Sequence, residues 1–329
     1  MRARLLMAAA AALACTPASA NDSTAEVAAG GLVLTKTDAI EMVSEDLFVS
    51  AEAVRVDYVF RNRTSKDVET IVAFPLPDRD FTTEFHGDVA RPDGFTTTVD
   101  GRAVKMAVEQ KALVRGKDHS AVLHRLGIPV AGSFYEVEEA LNRLPQAARR
   151  EVVRLGLAVE EDLGSAGKPM LQPAWSVKET WHWRQRFPAG RALKVAHRYR
   201  PGTGGSVGSP LAVKDFRRSP EGKRLIAAYC ADAAFLAGVD RMAKVGGGEY
   251  PILPEQRIGY ILKTGGNWAA PIARFRLVVD KGAPDNLVSF CGAGLRKISP
   301  TRFEMVRINW RPDRDLDILI VHPAPVTTP

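Results

Sequence analysis

The sequence predicts a mainly β fold with helical insertions, arranged as two antiparallel β-sandwich-like modules, and three observations carry that expectation. Along 53–60 the residues Val54, Val56, Tyr58 and Phe60 alternate with Arg55, Asp57 and Val59, the period-two signature of a half-buried strand. Asp100-Gly101 lies between two further strand-like runs, and this dipeptide supplies the positive φ angles of a tight hairpin turn. After Pro254 every apolar run is short and closed by a glycine or proline break, a spacing seen in small sandwiches.

The chain opens with Arg2 and Arg4, an apolar run over 5–14, and then Ala18-Ser19-Ala20. A basic start, an apolar centre too short to span a bilayer and a small-residue site read together as a secretory signal peptide over 1–20. Cleavage after Ala20 is expected to deliver a chain starting at Asn21 to an oxidising compartment without ATP, a bacterial periplasm. Ala12-Leu13-Ala14-Cys15 also reads as a lipoprotein box in which Cys15 would carry lipid and anchor the chain. Such boxes usually have leucine where Ala12 stands.

The first module is expected over 21–217. Strands are predicted around 32–34 and 47–49, over 53–60, and over 68–74, where Pro75-Leu76-Pro77 stops the run because proline has no amide for a ladder. The strands 53–60 and 68–74, joined by the polar turn 61–67, are expected to pair antiparallel. A hairpin of 95–99 with 103–114 follows. The period then changes: Ser133-Phe134-Tyr135-Glu136 is a capping box, and Phe134, Val137, Leu141 and Leu144 recur at helical spacing, continued past Pro145 by Ala148, Val152 and Leu155. This predicts a helical hairpin inserted at about 133–157. Strands resume over 177–187 and 193–199, before the loop Pro201-Gly202-Thr203-Gly204-Gly205-Ser206.

A connecting helix and linker are expected over 218–250. Ser219-Pro220 provides an N-cap and a first-turn proline, Leu225, Tyr229, Leu236 and Val239 form an apolar stripe, and Gly246-Gly247-Gly248 closes it. The second module, 251–329, is predicted to hold strands over 258–263, 272–279, 287–290, 303–309 and 316–321.

The 329 residues are 46% hydrophobic, enough for a sizeable core and two domains. A formal net charge of +7 is spread along the chain without a polybasic tail, which argues against nucleic acid as a partner. No segment after the signal reaches about 18 consecutive apolar residues, so no transmembrane segment is expected there. Loss of Cys15 with the signal would leave Cys230 and Cys291, an even count in a disulfide-permissive compartment. The expectation is that they pair, closing a loop of roughly 60 residues for about 4 kcal/mol at most; two separate buried thiols are the alternative.

Several motifs compete with plainer readings. Gly204-Gly205-Ser206-Val207-Gly208 matches the nucleophile-elbow pattern, but Pro210 stands where a helix should begin. His119 and His124 are five apart and poorly aligned on either a strand or a helix. His182 and His197 lie on strands expected to be neighbours and could meet across the sheet. Trp181 and Trp183 share one strand face, so with His182 and His197 they are the candidate ligand-binding residues, weighed against ordinary core packing. Asp313-Arg314-Asp315-Leu316-Asp317 starts like a calcium loop, yet Ile318 occupies the glycine position. Asn62-Arg63-Thr64 fits a glycosylation sequon that a bacterial context leaves idle. No catalytic residue, metal or cofactor is assigned.

Tyr58-Val59-Phe60-Arg61-Asn62 with Val72-Ala73-Phe74-Pro75-Leu76-Pro77, Trp181-His182-Trp183-Arg184-Gln185 with Phe187-Pro188-Ala189, Tyr229-Cys230, Tyr260-Ile261-Leu262 with Asn267-Trp268 and Pro271-Ile272, and Ser289-Phe290-Cys291 occur in this order. In these segments the chain resembles the bacterial exported family Domain of Unknown Function 4424. The resemblance implies a periplasmic location and supports pairing of the two cysteines, and it brings no activity. The strand ending in Phe74-Pro75-Leu76-Pro77 is also similar to vault and inter-α-trypsin-inhibitor sandwich domains.

The expected function is non-catalytic binding or envelope assembly, with an envelope protein or a cell-wall ligand as partner. The alternatives are a periplasmic envelope hydrolase or metal-dependent enzyme using His182, His197 or Ser206, and a lipid-anchored structural factor.

Overall fold

Alternation of the kind seen at 54–60 leaves one apolar face that only a second layer can bury, and two large sheets supply it. The computed structural model describes residues 22–28, 31–82, 92–161, 169–246 and 252–324. The expected signal peptide, Cys15 and the linker glycines Gly247 and Gly248 lie outside the described residues.

The eight-stranded sheet runs in the order Arg296–Lys297, Arg302–Trp310, Ile272–Asp280, Ile40–Val49, Val54–Asn62, Ala192–Arg200, Asp93–Val99 and Arg102–Ala103. The seven-stranded sheet runs Lys117–Asp118, Ala107–Val114, Ser176–Phe187, Val68–Pro75, Ser23–Ala28 and Gly31–Thr35, with Arg79–Asp80 also pairing on Ser176–Phe187. A four-stranded sheet follows the order Gly204–Ser206, Glu255–Tyr260, Leu316–Val321 and Leu287–Phe290. One core joins them: Val56, Tyr58 and Phe60 from the first sheet, Val72, Phe74 and Phe187 from the second, and Ile258, Tyr260 and Ile318 from the third. The buried hydroxyls of Tyr58 and Tyr260, 2.9 Å apart, link the first sheet to the third.

The fold is mainly β with antiparallel pairing, as expected, but several connections differ. Val54–Asn62 and Val68–Pro75 do not pair with each other. The former lies between Ile40–Val49 and Ala192–Arg200, and the latter between Ser176–Phe187 and Ser23–Ala28. The polar link 63–67 is a corner that carries the chain from one layer to the other, so both strands bury their apolar faces in the same interlayer core. Ser176–Phe187 and Ala192–Arg200 are split between the sheets in the same way. At the hairpin, Asp100 and Gly101 have φ of 47° and 78°, as the dipeptide requires, yet only Arg102–Ala103 returns along Asp93–Val99. The segment Ala107–Val114 crosses to the other sheet and pairs with Ser176–Phe187.

The boundaries expected at 217 and 251 do not divide the core. Ile272–Asp280 lies parallel to Ile40–Val49, with Arg274 opposite Ser44 and Val279 opposite Val49, so strands from both ends of the chain complete one sheet. Sheets grow wherever an open edge meets a matching strand, whatever the separation in sequence.

Asn62 fastens the corner. It is fully buried, its Nδ2 donates to the carbonyls of Lys66 at 2.8 Å and Phe187 at 2.9 Å, and its Oδ1 accepts from the Thr64 amide at 2.9 Å. The sequon asparagine is therefore an interior clamp. Asn62→Ala is expected to cost about 2 kcal/mol, because buried groups lose their partners; a shift of the urea midpoint at unchanged slope checks this.

The helical hairpin is present as Phe134–Asn142 and Gln146–Arg154. The Ser133 side chain accepts from the Glu136 amide, and the Glu136 side chain accepts from the Ser133 amide. It covers a second core of Val137, Leu141, Val152, Trp175 and Val177. The connecting helix is broken in two, Pro220–Tyr229 and Ala233–Gly246, at Cys230, whose φ is 50°. Phe235 and Val239 pack there against Leu319 and Val321 in a third core. Among the described residues no helix is long and apolar enough to cross a membrane.

Candidate functional site

Where the three sheets meet, Val68–Pro75 runs out into Leu76-Pro77-Asp78-Arg79, Ala192–Arg200 ends at Tyr199, and the loop 201–208 closes the edge of the four-stranded sheet. These segments surround a cleft of about 1150 Å³. Glu179 lines it from Ser176–Phe187, Glu255 and Arg257 from Glu255–Tyr260, Asp317 from Leu316–Val321, and Tyr229 from the end of its helix.

The polar groups are unevenly satisfied. Glu179, 4% exposed, accepts from Gln110 Nε2 at 2.8 Å and Trp181 Nε1 at 3.0 Å, both neutral donors. Glu255, 3% exposed, pairs through Oε1 with Arg257, while its Oε2 and the Arg257 Nε are buried without a hydrogen-bond partner. Asp317 stands opposite Gly259 in the ladder, a neighbour with no side chain to cover it. Burial, with a smaller push from Asp315, raises its carboxyl above the ordinary range. Burial likewise raises Asp78, against the pull of Lys178. The Tyr229 hydroxyl is pushed up to about 12, by burial first.

Gly205 sets the wall of the cleft. A Cβ there would come within 2.2 Å of the Glu255 carbonyl, so the loop can lie against the strand only as bare backbone. Gly205→Ala is expected to cost about 2 kcal/mol through forced backbone displacement and to loosen Gly204–Ser206 from Glu255–Tyr260. Faster amide exchange at 204–206 is the check.

The residues singled out by sequence fall elsewhere. Trp181 and Trp183 do share a face, but it points into the interlayer core: Trp183 is 4% exposed and Trp181 stacks on Phe95 at 4.9 Å. An inward strand face gives the two indoles a packing role, Trp183 within the core and the partly buried Trp181 against it. His182 and His197 do not meet. His182 stands opposite Ala73 and Ala107 in the seven-stranded sheet, whereas His197 lies in the eight-stranded sheet, because their strands cross between layers at 188–191.

His197 is fully buried. Its Nε2 is 3.1 Å from Asp22 Oδ1, and its Nδ1 is 2.8 Å from Thr97 Oγ1. Asp22 is equally buried, and its carbonyl accepts from Trp268 Nε1 at 2.7 Å. Burial raises the Asp22 carboxyl, and the nearby His197 offsets only part of that. A hydroxyl, an imidazole and a carboxylate in series have the order of a nucleophile relay. This one is sealed inside the core, with Thr97 itself 3% exposed, so its role is to hold the two layers and the N-terminal strand together.

Ser206 lies on a short edge strand, and its Oγ donates to the Gly208 carbonyl at 2.8 Å; the single 3-10 turn Pro210–Ala212 that follows starts four residues on, so Ser206 does not stand at the direct strand-to-helix turn of a nucleophile elbow. Asp315 accepts from the amides of Leu262 and Lys263, each at 3.0 Å, and so is used in a turn and not a calcium loop. Among the described residues no three His, Cys, Asp or Glu side chains are grouped to hold a metal. Cys230 and Cys291 are disulfide-bonded, with Cα atoms 5.0 Å apart, which joins the helix Pro220–Tyr229 to the end of Leu287–Phe290.

Glu179, Glu255 and Arg257 are absent from the candidates drawn from sequence, and Asp317 entered there only as the last residue of the calcium-loop motif. One signal was present: Glu179 is in phase with Val177, Trp181 and Trp183, so a carboxylate was due on a buried face.

Fold and cleft together define a disulfide-bonded β-sandwich protein with an acid-lined opening between its layers. The chain belongs to the family described as Domain of unknown function (DUF4424), which it matches over residues 20–319. Among solved structures it is similar to a "putative nutrient binding protein" from Legionella pneumophila subsp. pneumophila str. Philadelphia 1, with 14% identity and a TM-score of 0.47 over 92% of this chain and 70% of that one. No curated protein matches the chain.

Proposed function

We propose that the protein is exported to the periplasm, where it binds a small molecule in the cleft without turning it over. The observation that carries this reading is the cleft itself. Its volume of about 1150 Å³ is of the order of small-molecule sites, and glycine, proline and aliphatic residues share its wall with four carboxylates and two guanidinium groups. The cleft brings no histidine or cysteine to its described lining, and its one serine with a nucleophile motif is engaged by its own loop, which favours binding over catalysis.

Two measurements test the proposal. Mass spectrometry of the protein recovered from the periplasm is expected to show a chain starting at Asn21; a lipid-bearing Cys15 or an unprocessed cytosolic chain would refute soluble export. Thermal-shift screening against small metabolites is expected to find compounds that raise the melting midpoint. Their effect should disappear in Gly204→Trp, because Gly204 lines the cleft and has open space beside it. A screen with no such compound would end the binding reading.

A further inference from the structure

We infer that the ligand of this cleft is a small organic cation, an amine or guanidine of the size of a basic amino acid or a short polyamine, held by Glu255 and Asp317. The inference rests on the binding reading above and adds the chemistry of the ligand.

Four carboxylates line the cleft, from Asp78, Glu179, Glu255 and Asp317, against the two guanidinium groups of Arg79 and Arg257. The chain as a whole carries a net charge of +7, so this local excess of acid runs against its composition. Both guanidinium groups have partners, Arg79 donating to the Ala131 carbonyl at 3.0 Å and Arg257 pairing with Glu255 through a terminal nitrogen, and what Arg257 leaves unmatched is its buried Nε. Glu179 is buried on neutral donors alone. Glu255 presents a second oxygen that is buried and has no partner.

An acceptor of that kind is costly to bury unless a donor, and above all a cationic donor, completes it. Glu255 and Arg257 share one face of their strand, and Asp317 stands on the neighbouring strand opposite Gly259, two residues on from Arg257, so the two carboxylates flank the guanidinium along one wall of the cleft. Tyr229 lines the same space, and an aromatic ring adds attraction for organic cations. An anionic ligand would meet the same carboxylates with like charge, and a neutral apolar one would leave Glu255 Oε2 uncompensated.

Isothermal titration calorimetry of the disulfide-intact protein with L-arginine, putrescine, L-leucine and L-glutamate separates the possibilities. The expected result is binding of L-arginine or putrescine, with neither L-leucine nor L-glutamate binding measurably. Glu255→Gln and Asp317→Asn should each weaken the cation by about tenfold or more, the scale of one charge-assisted hydrogen bond. Asp57→Asn, which removes a carboxylate from an exposed pair with Arg198 outside the cleft lining, should leave affinity within about twofold. Unchanged circular dichroism in each variant confirms that it folds.

Tighter binding of L-glutamate or L-leucine than of either cation overturns the inference while leaving the binding reading intact. Equal cation affinity in wild type and in both cleft variants overturns it as well. If none of the four probes binds while the metabolite screen finds a ligand that is not a cation, only the ligand class fails. If that screen is also empty, both readings fall.

Discussion

His197→Ala is expected to destabilise the protein by about 3–5 kcal/mol, the range for removing one partner of a buried charge-bearing pair. The alanine leaves Asp22 fully buried without the imidazole at 3.1 Å, leaves Thr97 Oγ1 with the weakly accepting Met106 sulfur in place of the ring nitrogen, and opens a hole beside Phe74, whose ring centroid is 4.8 Å from that of His197. Guanidinium titration followed by near-ultraviolet circular dichroism measures the loss. The double variant Asp22→Asn/His197→Ala should recover part of it, since no carboxylate then remains to be buried. A loss below about 1 kcal/mol in the single variant would show that the relay does not hold the layers.

The same pair has a pH signature whose sign follows from Asp22. Its carboxyl lies above the ordinary 3.8 in the folded chain, so below that value the folded and unfolded forms are equally protonated and its contribution is fully present. As pH rises through the folded value, stability from this group is lost. Asp22→Asn removes that part of the pH dependence, and stability curves of the two proteins compared across the acid range reveal it.

Loss of the disulfide, by reduction or in Cys230→Ser/Cys291→Ser, is expected to lower stability by up to about 4 kcal/mol from the chain entropy of the closed loop. The two cysteines are 61 residues apart. Without the bridge, the helices Pro220–Tyr229 and Ala233–Gly246 are held mainly by the third core, which is small, so hydrogen exchange should quicken there before it does in the large sheets. Denaturation with and without reductant measures the total. Equal midpoints under both conditions would mean that the bridge only decorates a segment already fixed by packing.

The elements were largely legible in the sequence because their signals are local. Val54, Val56, Tyr58 and Phe60 mark a strand by alternation alone, Ser133 and Glu136 mark a helix start by reciprocal hydrogen bonds, and Asp100-Gly101 marks a turn by its φ angles. The pairing of Cys230 with Cys291 was expected from an even count, once Cys15 was assigned to the expected signal peptide. Strand partners were less legible. The five polar residues between Asn62 and Val68 look the same whether they turn a hairpin or a sandwich corner, since either use leaves both flanking strands with one buried face. The candidate residues suffered from this directly: His182 and His197 were placed on adjacent strands, and the corner at 188–191 put them in different sheets.

What the sequence determined by itself is therefore the class of the fold, the position of most of the longer strands and of the helical hairpin, and the covalent link, all of which rest on interactions between residues near in the chain or on a count; the strands Ser23–Ala28, Ala158–Glu161 and Met170–Pro173 and the helix Ser120–Arg125 were not among the elements expected. The tertiary structure decided that Ile272–Asp280 joins Ile40–Val49, that Trp183 and His197 are interior, and that Glu179, Glu255 and Asp317 converge on one cleft. Which edge meets which, and where a charge is left uncovered, depends on how separate layers fill a shared volume, and no window along the chain contains that information.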